Sequence, residues 1–181
     1  MTDTRPLDLP SPFIEHWIDA LANVTPTPRR ALDLAMGRGR HTAVMARAGF
    51  RTFGVDIAYD VVHDTVARLS RHGLGVRAWC ADLTISPLPR DYFELIVVTR
   101  YLQRDLFPSL ADALVPGGIM LYETFTEAQR ARGYGPTSPD HLLIPGELRS
   151  RCAGLETLFY EEVDTPEAVA RLVARRSSKR S

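Results

Sequence analysis

The stretch that most constrains this chain is ALDLAMGRGRHTAVMA, residues 31 to 46. An apolar run ends in Gly37-Arg38-Gly39, and a helix-like pattern starts at once. Glycines placed between a strand and a helix lack the Cβ that would keep a ligand off the backbone. A chain built around such a turn should alternate strand and helix, and this one does. Ala31 to Ala35 reads as a buried strand, and Thr42 to Ala48 as a helix stopped by Gly49. Arg51 to Val55 is a second strand, and Val62, Val66 and Leu69 stripe a second helix that ends at Gly73. Val76 to Cys80 is a third strand. Leu95 to Val98 is a fourth, apolar at consecutive positions as expected when helices cover both faces. Leu106, Leu110 and Leu114 stripe a helix that stops at Pro116-Gly117-Gly118, and Ile119 to Phe125 is a fifth strand.

The chain then changes character. Residues 126 to 146 have little periodicity, and a short helix is expected at Glu147 to Cys152. Leu155 to Val163 and Ala168 to Arg175 are strand-like and joined only by Asp164-Thr165-Pro166-Glu167. So short a link permits only an antiparallel hairpin, because a parallel crossover needs a dozen or more residues. The expected fold is therefore α/β: a doubly wound, mostly parallel seven-stranded sheet that ends in an antiparallel C-terminal pair. Ahead of it, Ser11-Pro12 opens an amphipathic helix with Ile14, Trp17, Ile18 and Leu21 on one face, ending before the Pro26 to Pro28 segment.

Composition narrows the function. Lys+Arg and Asp+Glu balance at 22 each, so no global field favours nucleic acid or a membrane surface. The one basic cluster, Arg171 to Arg180, reads as a solvated tail. Cys80 and Cys152 form no metal or disulfide pattern, no apolar run approaches the roughly 18 residues a membrane span needs, and no signal-peptide core is present. The expectation is a cytoplasmic protein with no bound metal, no nucleic-acid partner and no membrane partner. Three parts are expected: residues 1–29 as helix and linker, 30–176 as the ligand-binding domain, and 177–181 as the tail.

The second strand ends in Gly54-Val55-Asp56, where a carboxylate can accept both hydroxyls of a ribose or simply cap the helix beginning near Ala58. To this point a nicotinamide dinucleotide and S-adenosylmethionine both fit. Three features separate them. Thr42 stands where the third glycine of the dinucleotide pattern would fall. Asp33 sits inside the first strand, where an acid can orient the loop or hold the cationic end of an amino-acid-bearing cofactor; being buried, it must have a partner. Ala81-Asp82-Leu83 follows the third strand, where a carboxylate can accept from an adenine amino group or serve an ordinary turn. Arg38, Arg40 and His41 are expected to face solvent, as are His16, His63 and His72.

The segments LDLAMGRGRH, GVD, ADL, FELIVV, LVPGG and IMLYETF, in this order and spacing, resemble a class I S-adenosylmethionine-dependent methyltransferase. The glycine loop, YETFTEAQ and HLLIPGEL resemble most the small bacterial type related to the tellurite-resistance methyltransferases. The resemblance implies a Rossmann-like methyltransferase fold that closes with an antiparallel seventh strand. It implies S-adenosyl-L-methionine as cofactor, with Asp33, Ala35, Gly37 and Gly39 around its methionine part. Asp56 then takes the ribose, Ile57 touches adenine, and Asp82 and Leu83 complete the adenine contacts. Arg100 and Tyr101 are placed facing the methyl group and the acceptor. Ala35 stands where many members have glycine, which an extended backbone would tolerate. Met36 replaces a frequent cysteine, as a flexible apolar contact. The expected acceptor is a small molecule such as a thiol or metalloid oxyanion, with residues 126–146 as a lid and Arg130 and His141 as candidate recognition groups. The alternatives are a methyltransferase-like module that binds without catalysis, or an NAD-dependent oxidoreductase. Thr42 and the terminal hairpin count against the latter.

Overall fold

The computed structural model describes residues 8–24 and 29–178. The Pro26 to Pro28 boundary and the end of the basic tail lie outside the described residues. Seven strands form one sheet in the order β3-β2-β1-β4-β5-β7-β6. The chain divides into two compact units, one through Ser86 and one from Pro87.

In the unit through Ser86, helix α1 spans Pro12–Ala22 and buries Ile14 and Ile18, four residues apart on one face. Strand β1 (Arg30–Leu34), helix α2 (Arg40–Arg47), strand β2 (Arg51–Asp56), helix α3 (Tyr59–Arg71) and strand β3 (Val76–Cys80) follow. The three strands are parallel, with Asp33 opposite Gly54 and Asp56 opposite Cys80. Strand β3 lies at the sheet edge, and none of its residues is fully buried. In α3 the buried face comprises Val62, Thr65, Arg68 and Leu69, so two polar residues share the stripe that sequence assigned to apolar ones; Val66 is only half-buried.

In the unit from Pro87, strand β4 (Phe93–Thr99) is buried along nearly its whole length. Helix α4 (Phe107–Ala113) leads into strand β5 (Leu114–Phe125), helix α5 (Glu147–Arg151), and strands β6 (Glu156–Val163) and β7 (Val169–Arg175). Strand β4 is parallel to β5, while β7 is antiparallel to both β5 and β6, giving two antiparallel pairs rather than one. Leu114 is the other correction. It is fully buried as its periodicity demands, but its backbone is extended and it pairs with Phe93. A buried leucine at helical spacing cannot by itself distinguish the last helical turn from the first strand residue.

Among the described residues, no helix is long and apolar enough to cross a membrane.

Candidate functional site

The glycine loop lies within the unit through Ser86, and short polar contacts hold it on all but one side. Asp33 is 1% exposed. Its Oδ2 accepts from the Thr42 backbone amide at 2.8 Å and from the Thr42 hydroxyl at 2.6 Å. Thr42 is the third residue of α2, so its N–H is one of the four that no helical carbonyl can satisfy. A carboxylate on β1 does the work of a helix cap for α2, whose own N-cap residue is Gly39. This is the partner that the buried acid required, and it gives Thr42 a role that a glycine could not fill. Burial pushes the Asp33 acid up to about 7, against the opposing pull of its two Thr42 hydrogen bonds.

Asp56 closes the loop from the other side. Its Oδ2 accepts from the Gly37 amide at 2.9 Å and its Oδ1 from the Ala58 amide at 3.2 Å. It thus serves the turn into α3 and also the loop. A carboxylate offers about four lone-pair sites, so each oxygen retains one for a further donor.

Helix α3 holds the loop from behind. The Thr65 hydroxyl donates to the Gly37 carbonyl at 3.0 Å, and Arg68 Nη2 donates to the Arg38 carbonyl. The sequence reading missed both residues. Their only signal was two polar side chains, three positions apart, within an apolar stripe.

The two glycines of the loop differ in what they need. At Gly39 (φ +70°) a Cβ would lie 2.6 Å from Thr65 Cγ2, so the missing side chain here lets α3 approach the loop. At Gly37 (φ +48°) a Cβ would meet nothing within 4 Å, which leaves open space beside the backbone. Ala35 is not extended as expected. Its φ is +54°, the left-handed region in which a Cβ is disfavoured. Met36 is buried, and its Sδ occupies the space that a Cβ on Gly54 would fill.

His41 is a further correction. It is 2% exposed, and its Nε2 accepts from the Ser11 amide at 3.0 Å, tying the start of α1 to the start of α2. Sequence gives no sign of a bond to a backbone donor thirty positions away. Arg38 does face solvent, with Nε 2.8 Å from Asp8 Oδ2, and His16, His63 and His72 are exposed. Arg40 is half-buried.

Ile57, just after β2, is 67% exposed, and Ile85, in the turn that follows β3, is 80% exposed. Ile57 can offer apolar surface to an aromatic base. Asp82 Oδ1 accepts from the Thr84 amide at 2.9 Å and the Thr84 hydroxyl at 2.7 Å, which holds this carboxyl below its usual range. It therefore organises the turn after β3. Leu83 is half-buried beside it.

In the unit from Pro87, Arg100 and Tyr101 follow β4. Arg100 has φ +52°, its amide donates to the Glu123 carbonyl at 2.9 Å, and its Nη2 pairs with Glu167 Oε2 at 2.7 Å. The Tyr101 carbonyl accepts from the buried Tyr122 hydroxyl at 2.9 Å.

The irregular segment closes on itself. Thr126 bridges Leu143, the Glu127 amide donates to the Leu143 carbonyl at 2.9 Å, and the Leu143 amide donates to the Phe125 carbonyl at 3.0 Å. Chain ends joined this way form the neck of an Ω-loop. Arg104 pins the far side: Nε meets Glu147 Oε1 at 2.7 Å, Nη2 meets Glu147 Oε2 at 2.9 Å, and Nη2 also donates to the Leu142 carbonyl at 2.9 Å. The fully buried Gln129 pins the near side by accepting from the Ala168 amide at 2.8 Å. Arg130 Nε donates to the Thr137 carbonyl at 3.0 Å, and His141 is exposed.

Residues 31–118 match the family model described as "Methyltransferase domain". No curated protein matches the sequence significantly. Many solved structures share the fold. An S-adenosylmethionine-dependent methyltransferase from Clostridium acetobutylicum superposes with a TM-score of 0.74 at 13% identity, over 91% of each chain. One from Mesorhizobium loti gives 0.66 at 20% identity, over 90% of this chain and 98% of that one. TehB from Haemophilus influenzae gives 0.70 at 17%, over 90% of this chain and 62% of that one. At such identities the likeness shows the fold, and TehB is one neighbour among many of comparable likeness.

The sheet order with its antiparallel β7 and the family match across the glycine loop define the class. The chain has the Rossmann-like fold of these S-adenosylmethionine-dependent methyltransferases and carries a methyltransferase-domain match over residues 31–118, and S-adenosylmethionine is the cofactor that this fold and match imply. The site fits that cofactor in its open space at Gly37, in the unspent lone pairs of Asp56 and in the exposed Ile57.

Proposed function

We propose that residues 30–176 act as one catalytic domain that transfers a methyl group to a small-molecule acceptor, a thiol or metalloid oxyanion or similar group, by in-line displacement. The observation that carries the cofactor half is the Gly37 cradle, open on one side and fixed from Asp56, Thr65 and Arg68 on the others. The methionine part lies along Ala35, Gly37 and Gly39, with Asp33 acting through Thr42 to hold the helix beneath them. Asp56 takes the ribose hydroxyls, and Ile57, Asp82 and Leu83 frame adenine. When bound, the cofactor supplies a methyl on a sulfonium, a leaving group that needs no acid. The chain's task is therefore to align the acceptor and exclude water. Arg100 and Tyr101 face the acceptor, and residues 126–146 cover it. A closed neck that leaves a short exposed tip suits a small acceptor better than a macromolecule.

A labelled-methyl assay with thiols, tellurite, selenite and small carboxylates tests this reading. Transfer to at least one is expected. If none reacts while calorimetry shows S-adenosylmethionine bound, the chain is a binding module instead. Deleting residues 130–140 should abolish turnover and leave cofactor affinity within a few-fold; loss of both would remove the lid assignment.

A further inference from the structure

Two arginines follow β4, and their surroundings assign them different work. Arg104 is saturated. Beyond its two bonds to Glu147 and one to Leu142, its Nη1 reaches the Asp140 carbonyl at 3.2 Å and the Pro139 carbonyl at 3.4 Å. It is a structural fastener with no donor left over for a ligand.

Arg100 is the opposite case. Only its Nη2 is engaged among the described residues, by Glu167 Oε2 at 2.7 Å, and the side chain is 45% exposed. Its guanidinium carbon lies over the Phe125 ring, 5.4 Å from the ring centre, within cation–π range. The other donors, on Nε and Nη1, are unspent. The backbone sharpens the contrast. Arg100 is left-handed at φ +52°, held there by its amide bond to the Glu123 carbonyl. Glycine or asparagine would occupy that conformation more cheaply, so the backbone does not explain the arginine. Its orientation is also set from a distance. Glu167 belongs to the β6–β7 link, which accepts at Pro166 from Arg132 Nη1 at 3.1 Å and from the Tyr134 hydroxyl at 3.2 Å. The group that aims Arg100 is thus tied to the same Ω-loop that covers the acceptor.

We propose that Arg100 recognises an anionic oxygen group on the acceptor, a carboxylate or an oxyanion, through these unspent donors. The proposal rests on the methyl-transfer reading and narrows its acceptor to an acidic one. A guanidinium placed over an aromatic ring and already held on one side loses little freedom on meeting a carboxylate.

The test uses the full chain and two thiols of equal length, 3-mercaptopropionate and 3-mercaptopropanol, with S-adenosylhomocysteine formation as the readout. The native chain should prefer the carboxylate by about 10- to 100-fold in kcat/KM, as charge-assisted hydrogen bonds warrant. Arg100→Gln should erase that preference through KM, Arg100→Lys should restore part of it, and cofactor affinity measured by calorimetry should hold in both. Equal use of the two thiols by the native chain, or a preference that survives Arg100→Gln, overturns the proposal. If neither thiol reacts, titration of propionate and selenite into the chain saturated with S-adenosylhomocysteine decides. Saturable binding that weakens at least about tenfold in Arg100→Gln supports it. Absent or unaltered binding overturns it. Failure of the methyl-transfer reading itself would show differently, as no product with any acceptor.

Discussion

The two units hold their functional segments by different means. Through Ser86, short side chains bind backbone: Asp33 the Thr42 amide, Asp56 the Gly37 amide, and Thr65 the Gly37 carbonyl. From Pro87, long side chains bind one another across many residues: Arg104 with Glu147, Arg100 with Glu167, and Arg171 with Glu123 at 2.7 Å. Short groups on backbone give a stiff site whose geometry follows the local chain. Long ion pairs lose more side-chain freedom on forming and fix positions that are distant in sequence.

The largest effect expected of this contrast is at Asp33. Its acid lies near 7 in the folded chain against 3.8 unfolded, so folding favours the protonated form. The stability this contributes is full below about pH 4 and is lost as pH rises through about 7. Asp33→Asn keeps an acceptor for Thr42 and removes the titration. Between pH 5 and pH 8 the variant should therefore gain about 3 kcal/mol relative to the native chain in denaturant unfolding. A native chain that gains on the variant over that range would break the assignment of a buried, raised acid.

The next effect separates the two loop glycines. Gly39→Ala places a Cβ against Thr65 at positive φ and should cost about 2–3 kcal/mol of stability. Gly37→Ala meets no atom and should cost only about 1 kcal/mol of backbone strain, while its methyl group fills the open space and lowers cofactor affinity by a larger factor. Equal stability losses would mean that the two positions have been wrongly distinguished.

In the other unit, Glu147→Gln removes the charge that Arg104 and Arg151 share and should cost about 1–2 kcal/mol. Proteolysis within residues 133–138 should accelerate, with cofactor affinity unaffected. A parallel loss of cofactor binding would show that the two units do not divide the work. The smallest effect is a gain. Ala35→Gly relieves a left-handed Cβ and should stabilise by up to about 1 kcal/mol, read as a shift in unfolding midpoint.

What could be read from sequence follows the same division. Asp33 was legible because a carboxylate inside an apolar strand cannot stand alone, although only the structure shows that Thr42 answers it. Asp56 offered two roles, ribose binding and capping; the structure gives it the amides of Ala58, at the turn into α3, and of Gly37, a loop contact that sequence did not announce. The strands were legible because burial on both faces leaves consecutive apolar residues, and the hairpin because its link is too short for anything else. His41 was not, since its partner is the backbone amide of Ser11, thirty positions away and just ahead of α1. Ala35 was misread because nothing in an alanine announces a positive φ. Thr65 and Arg68 were hidden in an apolar stripe. The Arg104–Glu147 knot was out of reach because a charge pair 43 positions apart leaves no periodic trace.

The neck of the Ω-loop has an evolutionary consequence. Backbone bonds between residues 125–127 and 143 close the segment before its tip begins, so the tip can lengthen or be replaced without unzipping β5 or β7. Each doubling of a flexible loop costs only about 0.6 kcal/mol of closure entropy. On the methyl-transfer reading proposed above, this tip is the segment free to be rewritten for new acceptors, while the fit to the methyl donor stays with the backbone-held loop at Gly37.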